Sequence, residues 1–110
     1  MKPMVFSSEP ALSQLSVKGK VWTARTNAKK EGEKVWVRGT RTGPKLFEAE
    51  IKEVRKTKES LAKQDMFRNY YDLSGFDMPD DWRQEVVNHQ GCMPYVLYFY
   101  KVVKLGEVEK

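Results

Sequence analysis

The chain has 110 residues, 40% of them hydrophobic, which suits one domain with a single packed core and argues against global disorder. No apolar run approaches the roughly 20 residues of a membrane span, and the opening Met1-Lys2-Pro3-Met4-Val5-Phe6 lacks the apolar stretch of a signal peptide. The net charge of +5 is unevenly spread: residues 1–58 hold 14 of the 20 Lys and Arg against 6 of the 15 Asp and Glu, leaving +8, and the remainder carries −3. One basic half beside a mildly acidic one is the electrostatic footprint of a phosphate-binding surface, or of a generally basic protein with solvated lysines. A lone cysteine, Cys92, excludes an internal disulfide and fits a reducing cytoplasm. With one histidine, His89, no zinc-ligand cluster can be assembled, although a carboxylate site for magnesium stays open.

In chain order, Ser7-Ser8-Glu9-Pro10 is a helix start, with serine at the cap and proline in the first turn. Ala11, Leu12 and Leu15 then give a short amphipathic helix that ends before Gly19. Lys20-Val21-Trp22-Thr23-Ala24-Arg25 favours an extended backbone. Strand alternation puts Thr23 and Arg25 on one face and Lys20 and Trp22 on the other, so a twist or bulge is needed to bring the Lys20 amine to the Thr23 hydroxyl. After a polar loop with the pair Lys29-Lys30, Lys34-Val35-Trp36-Val37-Arg38 is a second strand, followed by turn chemistry at residues 39–44 that includes Arg41.

Residues 47–54 alternate apolar and charged as far as Ile51, as an antiparallel strand wet on one face would, and Val54 falls out of phase, marking a bulge or the strand's end. Helix formers run from Lys58 to about Tyr71; residues 72–79 form a loop; Pro79-Asp80-Asp81-Trp82 opens another short helix. Asp80, Asp81 and Glu85 are expected to be solvated there, and His89 to lie in a surface loop. Residues 95–103 are apolar on both faces, so both must be covered, and 105–110 form a polar tail. There is no repeat and no linker. Strands, then helices, then a closing strand predict one α+β domain over residues 1–110: a small, partly closed antiparallel β-barrel with flanking short helices.

Aromatic residues stand beside cations at Trp22, Trp36 and Tyr100, an arrangement that fills a small barrel or stacks unpaired bases. The stretch Lys20–Arg25 resembles the signature of the ASCH family, relatives of the PUA RNA-binding barrel, which runs Gly-x-Lys-x-x-Glu/Thr-x-Arg after a short helix. Gly32-Glu33-Lys34-Val35-Trp36-Val37 resembles the family's next strand, Ser74-Gly75-Phe76 its later Glu-Gly-Phe segment, and residues 95–103 its closing strand, so the likeness runs in order over about residues 5–104. Two positions depart from it: Lys18 stands where the family has glycine, and Ser74 where it has glutamate.

The resemblance implies a basic cleft for RNA or a modified nucleoside, with Lys18, Lys20, Trp22, Arg25, Lys29, Lys30, Arg38 and Arg41 as its binding residues and no cofactor. Members with threonine in the signature hydrolyse N4-acetylcytidine; carried over, Thr23 would be the nucleophile and Lys20 its base. A hydroxyl needs such a base at neutral pH, and the leaving amine needs an acid that Ser74 cannot supply. Binding without chemistry is therefore the first expectation, the amidohydrolase the second, and a weak ribonuclease the third.

Overall fold

The computed structural model describes residues 2–107. Strand β1 (Lys2–Val5) leads into helix α1 (Glu9–Ser13), which continues as a π-turn over Gln14–Lys18. Pro10 in the first turn favours the helical start, and Gly19, at φ 82°, ends it in the left-handed conformation that glycine adopts freely. Strand β2 (Lys20–Arg25) follows directly, then β3 (Lys34–Arg38) and the long β4 (Phe47–Thr57). Helix α2 (Ser60–Tyr70), a 3-10 turn and helix α3 (Pro79–Gln90) precede β5 (Leu97–Glu107), so the first three residues of the expected polar tail continue the strand and 108–110 lie outside the described residues.

The five strands form one sheet in the order β1-β3-β4-β5-β2. All neighbours are antiparallel except β1 and β3, which run parallel because α1 and β2 form a crossover between them. The expected α+β class holds. The wholly antiparallel, partly closed barrel does not describe the backbone ladder, which is mixed and open, with β1 and β2 as free edges. β4 pairs with β5 through register shifts at Glu48/Ala49 and Ile51/Glu53, the second where the alternation of apolar residues breaks, and continues beyond them to Thr57.

Two apolar clusters lie on opposite faces of the sheet. The inner one gathers Met4, Phe6, Leu15, Val21, Val35, Val37, Ile51 and Val102 under α1. The outer one joins Trp22, Leu97 and Phe99 of the sheet to Met66 and Phe67 of α2 and Trp82 and Val86 of α3. Phe67, Trp82 and Phe99 meet edge to face, with ring centres 4.9, 5.2 and 5.7 Å apart. Alternate residues of β5 therefore serve different cores, which explains a strand that is apolar on both sides.

The turn at Ser74–Phe76 sets where α3 begins. Buried Ser74 donates its hydroxyl to the Tyr71 carbonyl at 2.6 Å and accepts from the Phe76 N–H at 3.1 Å. Gly75, at φ 91°, lies so close to α1 that a Cβ would overlap the Pro10 carbonyl.

Candidate functional site

A cleft of about 520 Å³ runs along the unpaired edge of β2. Its walls are β2 and the following turn from Trp22 to Asn27, the chain leaving β1 from Val5 to Ser8, the turn at Gly39–Arg41, and one face of α3. Consecutive residues of β2, Trp22 to Arg25, line it, which alternation would forbid on a sheet face but which follows naturally at an edge. The cleft lies between β2 and the chain leaving β1. Arg25 crosses that gap.

The Arg25 guanidinium donates from Nη2 to the Val5 carbonyl at 2.7 Å and from Nε to the Thr23 hydroxyl at 3.4 Å, and its Cζ sits 4.7 Å from the centre of the Phe6 ring. One side chain thus ties the first edge strand to the last and leaves other N–H groups of its five-donor fork for a ligand. Burial lowers its pKa from 12.5 to about 10, an effect that the Tyr100 phenol partly opposes. Thr23 is buried to 8% exposure, and because its oxygen accepts from Arg25 its own proton is free to be donated. Beneath them the Tyr100 hydroxyl donates to the Asn27 carbonyl, anchoring the turn after β2.

Across the cleft, α3 presents Glu85 and His89, whose Oε1 and Nε2 are 2.9 Å apart. The sequence alone implies Glu85 in solvent at a helix start and His89 in a surface loop, and His89 is indeed half-exposed. Here the helix extends to Gln90, and both side chains line the cleft. The signal was present: positions 82, 85, 86 and 89 follow the i, i+3, i+4, i+7 pattern of one helix face, so Glu85 and His89 share the side on which Trp82 and Val86 are buried. Phe76 and Gln90 complete that wall.

The predicted binding residues separate into groups. Trp22, Thr23, Arg25 and Arg41 line the cleft. Trp22 is also part of the outer core, 4.5 Å from the Tyr70 ring centre. Lys20 is exposed, opens β2 and lies outside the lining; β2 pairs with β5 in unbroken register from Lys20↔Val103 to Arg25↔Tyr98, with no bulge to swing it round. Lys18 is exposed at the end of the π-turn. Lys29 pairs with Glu33 at 3.6 Å and Lys30 is exposed, both away from the cleft wall. Arg38 sits over Trp36, its Cζ 4.7 Å from the ring centre.

Ser74 is enclosed in its turn and does not line the cleft, and the carboxylate that does is that of Glu85. Among the described residues no group of three or more His, Cys, Asp or Glu could hold a metal ion, and no helix is long and apolar enough to cross a membrane. No protein-family model and no curated protein matches the chain.

Proposed function

We propose that this cleft receives one unpaired nucleotide of RNA, with Arg25 and Arg41 facing its phosphate and the Thr23 hydroxyl and the Glu85 carboxylate facing polar edges of its base or sugar. The observation that carries this reading is Arg25: a guanidinium fixed by Val5 and Thr23, stacked on Phe6, at the floor of a cleft whose volume of about 520 Å³ suits one small ligand. Two further facts support it. The walls built from β1, β2 and the turn at Gly39–Arg41 all come from the basic half of the chain. The free edge of β2 also offers outward backbone N–H and C=O groups, which can read a base edge.

The test is a mobility-shift titration with single-stranded RNA at rising salt. Binding should weaken steeply as salt displaces the phosphate contacts, and Arg25→Met should weaken it further. A protein that binds no RNA in a salt-dependent way does not have this function.

A second reading is hydrolysis of an acetylated nucleoside such as N4-acetylcytidine, with Thr23 as nucleophile. What favours it is that Glu85 brings into the same cleft the carboxyl group needed to protonate a leaving amine. Against it stands Lys20, the expected base, which lies outside the lining. Chromatography of an incubation with N4-acetylcytidine decides the matter: cytidine formed by the wild type and not by Thr23→Ala supports the enzyme, and no turnover at high protein concentration ends it.

A further inference from the structure

We infer that the outer face of β3 forms a second nucleotide subsite, where Trp36 stacks the base next to the one held in the cleft and Arg38 contacts the intervening phosphate. This rests on the reading of the cleft as a nucleotide site and extends it from one nucleotide to a strand.

Val35 and Val37 are fully buried in the inner core, so Trp36 and Arg38 project from the opposite face of β3. Among the described residues, helices α2 and α3 do not pack over that end of the sheet. The apolar cluster formed with α2 and α3 involves β2 and β5 and includes no residue of β1 or β3. Trp36 is only half-buried, with one ring face occupied by the Arg38 guanidinium. A guanidinium held over an indole is restricted in orientation and keeps N–H donors that suit a phosphate oxygen. The Arg38 Nε–H is buried and has no hydrogen-bond partner among the described residues, so any phosphate contact falls to the Nη groups of the same guanidinium.

The acids nearest in register do not compete for it. Glu48, opposite Trp36, is paired with Lys45 at 2.9 Å, and Glu50, opposite Lys34, with Lys52 at 2.9 Å.

The subsite is also continuous with the cleft. Val5, which lines the cleft, is the register partner of Arg38 on the neighbouring strand, about 4.8 Å away across the ladder. Three residues beyond Arg38, Arg41 lines the cleft itself. A strand leaving the cleft over Val5 therefore meets Arg41, then Arg38, then Trp36. Three cationic or aromatic side chains stand along one path.

The experiment compares two probes by fluorescence anisotropy and competition: a labelled, randomised RNA hexamer and an equimolar mixture of the four ribonucleoside monophosphates. Trp36→Ala should weaken the hexamer about tenfold or more, the loss of one base stack, and leave the monophosphates unchanged. Trp36→Phe should retain most of the hexamer affinity, and Arg25→Met should weaken both probes. Hexamer binding that depends on Arg25 but stays within about twofold of wild type in Trp36→Ala overturns the subsite and leaves the cleft reading standing. Equal weakening of both probes by Trp36→Ala also overturns the subsite, since it would show general damage. Failure of the wild type to bind either probe overturns the cleft reading and this inference together.

Discussion

Replacing Arg25 with methionine separates a residue kept for binding from one kept for stability. Methionine retains the stem that covers Phe6 and removes the guanidinium. On the stabilising side, a hydrogen bond from a charged donor to the Val5 carbonyl is worth about 1.5–3 kcal/mol. The stacking on Phe6 adds about 1 kcal/mol. On the other side, burial that pulls the pKa from 12.5 to about 10 corresponds to about 3 kcal/mol against the charged form. The two sides nearly cancel. The orphaned Val5 carbonyl borders the cleft, where water can replace the lost donor. Arg25→Met should therefore change stability by less than about 1.5 kcal/mol, within roughly 6 °C of the wild-type midpoint, measured by urea and thermal denaturation. RNA affinity should fall about tenfold or more, and the salt slope should drop by about one phosphate contact. A loss of more than about 3 kcal/mol with RNA binding unchanged would refute the reasoning, because Arg25 would then be a structural staple and nothing else.

Gly75→Ala should destabilise the fold by at least about 2 kcal/mol, since the left-handed backbone and the Pro10 carbonyl both exclude a Cβ; an unchanged midpoint would mean that α1 and the Ser74 turn separate freely. The buried Lys63 amine donates to the Pro94 and Tyr95 carbonyls at 2.6 and 2.5 Å. Lys63→Met should lose about 2–3 kcal/mol and speed amide exchange in the segment before β5; protection equal to wild type would rule out this tether. Burial raises the Tyr100 phenol to about 12, above the value of about 10 that it has in an unfolded chain. The stability held by the neutral phenol is thus whole below about pH 10 and is lost as pH climbs toward 12. Tyr100→Phe should lower stability by about 1 kcal/mol at pH 7 through the lost bond to Asn27 and make the decline above pH 10 shallower, so an equally steep decline would contradict the assignment.

Local signals located most of the elements. The proline that opens α1, the alternation through Ile51 and its break, and the helix-forming run of α2 are all short-range chemistry, and they appear where the residues imply, although Ser8 holds the cap position without making a side-chain cap bond. β1 was not legible: four residues containing a proline make a poor strand signal, and its partner β3 lies 33 positions away in register. That single non-local pairing converts an antiparallel design into a mixed sheet. The Thr23–Arg25 half of the site followed from strand alternation, which puts both on one face. The same alternation set Lys20 on the other face, and the unbroken register of β2 with β5 keeps it there. Glu85 and His89 depended on how far α3 extends: once it runs to Gln90, the spacing of positions 82, 85, 86 and 89 puts them on the face where Trp82 and Val86 are buried.

The position of β2 has a consequence for how the protein is made. β2 joins the sheet only through β5, and their paired residues lie between 73 (Arg25 with Tyr98) and 83 (Lys20 with Val103) positions apart. At ribosomal rates of about 5–20 residues per second, β2 waits roughly 4 to 17 s for its partner to emerge. During that interval Val21 and Trp22 belong to an apolar strand with no sheet to enter, the kind of segment that pairs with other nascent chains. Lys18 and Lys20 bracket it on one side and Arg25 on the other. Cations outside the cleft thus acquire a use in the newborn chain, as gatekeepers that keep β2 solitary until β5 arrives.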